Sequence, residues 1–319
     1  MNHKILSLGI CFLLTILFFS GCTEEIGKEP NTLYVDDDGG FDFTTIQEAI
    51  DAAEKGFNIT VNEGTYYEVL IINKTIHLQG KNTEKTIIEN QDKTEKSVIT
   101  IDADSCILEG FTIKGPAITN KTIAVNVNTS NNIITNNIVM NTDSGIYLGP
   151  NTQNTTVRNN IIKNNNYGVS TRNTHKNTIT TNELSYNNLY GIYLSGSTTN
   201  KIINNSVSHC GTGIRIKSSD SNHVYDNQIF ENKMGLLCCC GAGNNRIYHN
   251  NLIQNQEYNG RDDVINFWDD GNVGNYWDDY LEKYPNADQI DGIWNTPYEI
   301  YKPYAGDKNY DNYPLVEPI

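Results

Sequence analysis

Residues 132–148 read NIITNNIVMNTDSGIYL, and residues 155–171 repeat the pattern as TTVRNNIIKNNNYGVST. Further copies follow up to residue 255, and one asparagine recurs in them with steps of 23, 22, 23, 22 and 23 residues. A fixed period of this length indicates a solenoid, in which each repeat forms one coil stacked on the next. The asparagine column comprises Asn137, Asn160, Asn182, Asn205, Asn227 and Asn250.

Aliphatic residues flank each asparagine of this column, three positions before it and two positions after it, as Ile134 and Val139 flank Asn137. Most of them are Ile or Val, and their spacing suits short strands and not helical faces. Stacked coils pair their strands in parallel, and parallel crossovers are right-handed. The sequence therefore predicts an all-β fold, a right-handed parallel β-helix. A glycine column accompanies the strands at Gly145, Gly168, Gly191, Gly213 and Gly235.

The asparagine column has two predicted structural roles. Asn tolerates the left-handed backbone conformation that a tight bend between strands requires. Stacked amides can also hydrogen-bond to one another along the helix axis as a ladder. A second polar column has the same period and predicts a second ladder: Thr142, Asn165, Asn187, Cys210, Asn232 and Asn255.

Both ends of the predicted β-helix depart from the repeat. TTIQEAIDAAEK at residues 44–55 has apolar residues at helical spacing, and it predicts a capping helix over the N-terminal end of the core. Residues 257–319 leave the repeat and contain all three tryptophans. The predicted parts are a signal peptide (1–22), a linker (23–31), an N-terminal cap with the first irregular coils (32–97), regular coils (98–256) and a C-terminal aromatic and acidic cap (257–319).

The first 22 residues have the layout of a secretory signal, with Lys4, an apolar run over 5–19 and Ser20-Gly21 before Cys22. The run is shorter than the roughly 20 residues of a membrane span. Ser-Gly-Cys resembles a bacterial-type lipobox, which makes Cys22 the predicted lipidation site; cleavage without lipidation and an uncleaved anchor remain alternatives. We expect an exported protein at the cell surface or in a periplasm-like space, with membrane contact only through its N-terminal anchor.

Charge narrows the choice of partners. The chain has a formal net charge of −15, and residues 257–319 carry 14 acidic against four basic residues. Nucleic acid and anionic membrane surfaces are therefore excluded as expected partners. Glycans, surface proteins and cations remain.

Two stretches, YVDDDGGFDFTTIQEAIDAA (34–53) and ITVNEGTYYEVLIINKTIHLQG (59–80), precede the Asn-rich coils. Together they resemble NosD-like β-helix proteins of the pectin-lyase-like superfamily. The endings GNYWDDY, DGIWNTPYEI and DNYPLVEP are similar to those of archaeal members. The resemblance covers nearly all of residues 32–319 and implies a carbohydrate-binding or copper-handling role. An Asp-rich, calcium-loop-like stretch of archaeal members is thinned here to ADQIDGIWN, with Asp288, Asp291 and Asn295 as its remaining ligands.

Three cysteines are consecutive, at 238–240. Because strand side chains alternate, Cys238 should point inward and Cys239 outward, while Cys240 returns inward or enters the next turn. Packing in the core or turn, a Cu(I) site and a disulfide are the three interpretations that remain. For a metal site we expect Cys238 with Cys240, or Cys239 with a neighbouring chain. His209 and Cys210 form the best adjacent His–Cys pair elsewhere.

Some fragments resemble the motifs of polygalacturonases: Asp143 in MNTDSG, His209 in SHCG, and Arg215 and Lys217 in GIRIK. One repeat after Asp143, however, the chain reads NNN, whereas glycoside hydrolysis needs a second carboxylate. We therefore predict no catalytic residues.

The acidic tail repeats a Trp-Asp-Asp motif at Trp268 and Trp277, and Trp294 follows. These rings could stack on sugars, or they could cover the open end of the core. The whole sequence predicts a non-catalytic, surface-tethered β-helix that binds or displays a glycan, surface-layer or protein ligand. A NosD-like copper protein is the first alternative, and a polysaccharide lyase, epimerase or hydrolase the second; copper and calcium are the possible cofactors.

Overall fold

The computed structural model describes residue 29 and residues 31–91, 96–116, 121–304 and 306–319. The predicted signal peptide, Cys22 and almost all of the predicted linker lie outside these residues. Residues Asn31–Ile319 form one unit, in which about ten coils stack into a right-handed parallel β-helix, as predicted. In the part of the chain that the structure describes, no helix has the length and apolar character needed to cross a membrane.

Three parallel sheets, named A, B and C here, form the faces of the β-helix. Sheet A contains β1 Thr32–Val35, β2 Asn58–Val61, β5 His77–Gly80, β8 Ile107–Glu109, β11 Ile133–Thr135, β14 Thr156–Arg158, β17 Thr178–Thr180, β20 Lys201–Ile203, β23 His223–Tyr225 and β26 Arg246–Tyr248. Sheet B contains β3 Gly64–Tyr66, β6 Thr86–Glu89, β9 Thr112–Lys114, β12 Ile138–Met140, β15 Ile161–Lys163, β18 Glu183–Ser185, β21 Ser206–Ser208, β24 Gln228–Phe230, β27 Asn251–Ile253 and β29 Tyr276–Trp277.

Sheet C has the longest strands, of up to six residues. It contains β4 Leu70–Ile72, β7 Ser97–Ile101, β10 Ile123–Val127, β13 Ser144–Leu148, β16 Tyr167–Arg172, β19 Tyr190–Ser195, β22 Thr212–Lys217, β25 Met234–Cys239 and β28 Gly260–Asp262. The remaining elements are α1 Ile46–Ala52, α2 Tyr280–Lys283, the pair β30 Gln289–Ile290 with β31 Ile293–Trp294, and the pair β32 Tyr298–Glu299 with β33 Tyr310–Asp311.

The glycine column lies where adjacent coils leave no room for a side chain. A Cβ atom on Gly145 would sit 2.7 Å from the carbonyl oxygen of Gly168, and one on Gly168 would sit 2.5 Å from that of Gly191. Distances this short cannot be tolerated, so only glycine fits. Around this contact the aliphatic columns point inward and are fully buried, as Ile134, Val139 and their equivalents show.

The first asparagine column forms a continuous buried ladder. Each amide nitrogen donates to the amide oxygen one coil on, at 3.2 Å from Asn137 to Asn160 and 2.9 Å from Asn227 to Asn250. The left-handed conformation lies elsewhere, at the residue before each ladder position, such as Asn136 and Asn204 with φ of 55° and 54°. The prediction that the ladder asparagines themselves adopt this conformation was wrong. Their side chains point inward and hydrogen-bond along the ladder, and the residue before each of them makes the bend.

The second polar column also stacks, from Thr142 through Asn165 to Asn255. A third ladder was missed by the sequence analysis. In it Asn177, Asn200, Asn222, Asn245 and Asn266 bond in succession at 2.8–3.2 Å. The three ladders therefore fasten successive coils to one another by buried side chains.

The predicted N-terminal helix is α1, whose Ile46, Ala49 and Ile50 are buried. At the other end the β-helix continues past the predicted boundary at residue 256. Strands β28 and β29 still pair in parallel with β25 and β27, and Asn275 extends the first ladder beyond Asn250. The boundary was placed too early because the two final strands are separated by a loop that breaks the period.

Candidate functional site

The outer face of sheet C carries a row of tyrosines on strands β13, β16 and β19. In the strand register, Tyr147 lies beside Ser170 and then Tyr193, while Tyr167 lies beside Tyr190. The rings of Tyr190 and Tyr193 are stacked, with centroids 5.0 Å apart, and Tyr167 lies 5.4 Å from Tyr190. The long strands of sheet C make this row of tyrosines possible, because each long strand directs two or three side chains outward, whereas a shorter strand directs one or two.

Arg215 on β22 continues this row. Its guanidinium lies over the rings of Tyr190 and Tyr193, at 5.1 and 5.8 Å from their centroids. Nη1 donates to the Tyr190 hydroxyl and Nη2 to Sγ of Cys239 at 3.5 Å, while Nε is buried without a hydrogen-bond partner. A guanidinium stays charged in a protein, so this position offers an oriented cation with spare donor capacity.

Three cavities lie along this face. The first, of about 410 Å³, is lined by residues that include Tyr147, Tyr167 and Arg172. The second, of about 300 Å³, lies around Arg215, and the third, of about 530 Å³, reaches the C-terminal cap. Tyr258 and Arg261 line both the second and the third cavity.

We call this surface, from β10 to β28, the tyrosine–arginine groove. The stacked rings of Tyr190 and Tyr193 connect its first two cavities. Seven strands at about 4.8 Å per strand give it a length of roughly 30 Å. A surface of this shape is suited to an extended chain and not to a compact small molecule.

The first two cavities of the groove are lined by more basic than acidic side chains, although the chain is acidic. Arg172, Arg215 and Lys217 have no carboxylate within 4.0 Å among the residues that the structure describes. Arg261 is paired with Asp263, and Asp143 accepts a hydrogen bond from Asn166 at 2.7 Å. The uncompensated charges favour an anionic ligand.

The consecutive cysteines separate as the strand alternation predicts. Cys238 points into the core and is fully buried, and burial raises its pKa well above the ordinary value. Cys239 faces the groove, and Cys240 is exposed at the following corner with φ of 59°. The expected pairing of Cys238 with Cys240 is therefore wrong; the sulfurs of Cys239 and Cys240 are the adjacent pair, 3.1 Å apart.

Cys210 and His209 do not form a joint site. Cys210 lies in the second ladder, where its backbone N–H donates to Asn232 and burial raises its pKa to about 11. His209 points outward from the corner, stacks on Tyr186 and contacts Glu231 at 3.1 Å. The two side chains leave the backbone on opposite sides, so a metal cannot take both as ligands.

The expected calcium ligands lie in a hairpin. Asp291 and Gly292 form the turn between β30 and β31, with φ of 51° and 82°, which is the conformation that an Asp-Gly hairpin turn adopts. Asp288 pairs with Asn295 through backbone and amide groups. Within the described residues, the three-carboxylate cluster is Asp36–Asp38, which the sequence analysis did not propose, and Asp288 and Asp291 form no such cluster.

The tryptophans cap the core. Trp268 and Trp277 are buried, and their indole N–H groups donate to the buried carboxylates of Asp262 and Asp311 at 3.0 and 2.8 Å. Trp294 is half-buried and stacks on Tyr280. The sugar-stacking interpretation is therefore wrong for Trp268 and Trp277, because both rings are buried against the C-terminal end of the β-helix core.

The groove tyrosines were missed by the sequence analysis, although a signal was present. Tyr167 and Tyr190 immediately precede the glycine column, and Tyr147 and Tyr193 follow it by two residues. These two positions are three residues apart, so strict alternation would place them on opposite faces of sheet C. The alternation breaks at the glycine, and both tyrosines of β19 face outward with stacked rings. Arg215 was noted only as part of a motif fragment, since its contacts with Tyr190 and Cys239 cross from coil to coil.

Solved structures with this fold include the pectate lyase Pel9A, at a TM-score of 0.55 and 15% identity, covering 77% of this chain and 74% of that one. ORF18 of Geobacillus virus E2 matches at a TM-score of 0.54 and 14% identity, over 84% of this chain and 64% of that one. At such identities the likeness concerns the fold alone.

Sequence relatives are more specific. A cell surface glycoprotein of Methanothermus fervidus is 38% identical over 101 residues, which are 31% of this chain and 16% of that protein. This chain thus matches only a small part of that relative's length. The family model described as periplasmic copper-binding protein (NosD) matches residues 55–282, more than half of the chain. The chain therefore belongs to the NosD family.

Proposed function

We propose that this chain is an exported cell-surface protein that binds a linear anionic glycan along the tyrosine–arginine groove. The observation that carries the proposal is the half-buried guanidinium of Arg215, which lies against Tyr190 and Tyr193 and has no carboxylate partner among the described residues. Aromatic faces and hydroxyls suit the apolar and polar sides of a sugar ring. Oriented arginine donors suit a sugar carboxylate or sulfate.

Location is supported by the relatives. The Methanothermus fervidus protein is a cell surface glycoprotein, and the family is described as periplasmic. We propose that Cys22 carries the lipid that holds the protein at this surface. Replacing Cys22 with Ser should move the protein from the membrane fraction to the medium, and continued membrane association would contradict the anchor.

Binding is tested by calorimetry with hexameric oligogalacturonate, and with cellohexaose as the neutral probe. The Arg172→Gln/Lys217→Gln double variant removes one exposed and one half-buried charge of the groove without touching the core. We expect the acidic oligomer to bind and the double variant to bind it at least tenfold more weakly, a loss of about 1.4 kcal/mol.

Lys201→Gln, on the outer face of sheet A, is the matched control and should leave the affinity unchanged. Equal binding of the neutral probe would contradict an anionic ligand. Unchanged affinity in the double variant would mean that the glycan binds outside the groove.

A second function, Cu(I) binding, is favoured by the adjacent thiols of Cys239 and Cys240. Met234 lines the same 300 Å³ cavity and would supply a third sulfur atom once it releases the hydrogen bond that it accepts from the Tyr258 hydroxyl. Thiolates and thioethers select Cu(I), and the charge of Arg215, 3.5 Å from Cys239 Sγ, would offset the negative charge of two thiolates. The donor set fits the copper that the family description names.

Copper is tested by anaerobic titration with Cu(I) against a competing chelator. One equivalent should bind tightly to the chain, and the Cys239→Ser/Cys240→Ser variant should lose it. Cys238→Ser is the control, because Cys238 points into the core. Equal binding by the double variant would remove the copper proposal and leave the glycan proposal untouched.

A further inference from the structure

Cys239 and Cys240 form an unusual thiol pair in the middle of the groove. Their sulfur atoms are 3.1 Å apart, closer than non-bonded sulfurs normally pack. Cys240 is exposed, whereas Cys239 is buried beside Arg215. One thiol is thus open to a reagent from solution, and the second lies next to the first.

Backbone geometry permits a bond between these neighbours and also makes that bond weak. Cys240 has φ of 59° and Gly241 has φ of 86°, so the chain turns sharply after Cys239. Consecutive Cα atoms are about 3.8 Å apart, below the usual range of roughly 4.4–6.8 Å for a disulfide. A disulfide between them is strained, and strained, exposed disulfides are the readily reduced ones.

We propose that Cys239 and Cys240 are a reversible modification site, which low-molecular-weight disulfides oxidise to a vicinal disulfide. The Cys240 thiolate attacks one sulfur of the small disulfide, forms a mixed disulfide and releases one small thiolate. The Cys239 thiolate then attacks Sγ of Cys240, closes the Cys239–Cys240 bond and releases the second thiolate. Two protein thiols are oxidised and one small disulfide is reduced, so the exchange is balanced.

The order of attack follows from the surroundings of the two thiols. Cys239 is 3% exposed, whereas Cys240 lies exposed at the corner. An external disulfide therefore cannot easily reach Cys239. Cys239 is, however, close enough to attack a mixed disulfide that has formed on Cys240. Cys106, Cys210 and Cys238 are buried and separate from the pair, so they should not react.

Ring closure draws Cys239 Sγ towards Cys240 and away from Arg215 Nη2. Arg215 then loses one of its two hydrogen-bond partners and gains a free donor facing the groove. This consequence rests on the proposed glycan function, in which Arg215 contacts the anionic ligand. Oxidation should tighten the binding of hexameric oligogalacturonate several-fold.

The test treats the full chain with oxidised glutathione, unfolds it in guanidinium chloride, blocks the remaining thiols with iodoacetamide and maps tryptic peptides by mass spectrometry. Lys233 and Arg246 release all three consecutive cysteines in one peptide, 234–246. We expect this peptide to carry one alkyl group, on Cys238, and an internal disulfide. Dithiothreitol added before alkylation should restore three alkyl groups.

Two variants separate the steps. Cys239→Ser should retain a stable glutathione adduct on Cys240, and Cys240→Ser should carry no adduct. A persistent adduct on Cys240 in the unaltered chain, or three alkyl groups after oxidation, would overturn the proposal. Absence of glycan binding in both redox states would refute the glycan function alone, because the thiol count does not depend on it.

Discussion

Asn205 shows what one ladder position contributes. Its Oδ1 accepts from the backbone N–H and the amide of Asn182, and its Nδ2 donates to Asn227 and to two backbone carbonyls. Replacing Asn205 with Ala leaves several buried polar groups unpaired at once. Since one unpaired buried group costs about 1–3 kcal/mol, we expect the free energy of unfolding to fall by about 3 kcal/mol, measured by urea denaturation.

Asn188→Ala is the control for this measurement, because Asn188 is exposed and has a single side-chain contact, to Asn166. Its effect should stay within about 0.5 kcal/mol. Equal effects of the two variants would mean that the ladder adds nothing beyond ordinary surface hydrogen bonds.

Asp311 makes the C-terminal cap sensitive to pH. Burial raises its pKa to about 7, despite hydrogen bonds from Asn275, Trp277 and Tyr313. In the unfolded chain an Asp titrates near about 3.9, so the folded state binds the proton more tightly. Stability from this group is fully present below about pH 4 and is lost as the pH rises through about 7.

The Asp311→Asn variant should lack this component. We expect the difference in unfolding free energy between the two chains to change by a few kcal/mol, on the order of three pKa units, between about pH 4 and 8. Thermal unfolding across this range measures it. Parallel pH profiles for the two chains would show that Asp311 is ionised in the fold throughout.

At the scale of elements, α1 depends on a residue outside its own segment. The carboxylate of Glu68 accepts from the backbone N–H groups of Ile46 at 2.8 Å and Gln47 at 2.9 Å. The N-cap Thr45 adds a longer contact of 3.4 Å to Glu48. Glu68 thus satisfies two free donors of the first turn and places negative charge at the positive end of the helix.

Glu68→Gln should cost about 1 kcal/mol and speed amide exchange in residues 46–52, measured by hydrogen–deuterium exchange. Glu54→Gln is the control, because Glu54 is exposed just beyond the helix. Unchanged exchange in the Glu68 variant would assign the stability of α1 to its buried apolar face alone.

Elements with strict periodicity were predictable from the sequence, and contacts between coils were not. The glycine and asparagine columns repeat every 22 or 23 residues, so the coil and two ladders followed from the spacing. The third ladder, from Asn177 to Asn266, has the same spacing and was overlooked at the start of each repeat. Contacts such as Arg215 with Cys239 join residues 24 apart, whose side-chain directions the spacing alone does not give.

At the scale of the whole molecule, the stacked coils alone would leave both ends of the core uncovered. Trp277 closes one end: it stacks on Tyr298 at 4.0 Å, packs against Trp268 and bonds to Asp311. Trp277→Ala should lower the unfolding free energy by about 3–5 kcal/mol. It should also expose strand edges that favour self-association.

Light scattering after size-exclusion chromatography, together with urea denaturation, measures both effects of Trp277→Ala. Trp294→Ala is the comparison, because Trp294 is half-buried and lies on the hairpin outside the column. A monomeric and fully stable Trp277 variant would show that the other cap residues close the end by themselves.

Because the coils are equivalent, their number sets the length of the groove. Because each ladder amide bonds to its equivalent on the next coil, removing residues 138–160 would join Asn137 to the coil that carries Asn182 and would leave Tyr190, Tyr193 and Arg215 in place. The groove would shorten by one strand spacing, about 4.8 Å. Coils gained or lost in this way would change the length of the groove without changing how the remaining ladder residues bond to one another.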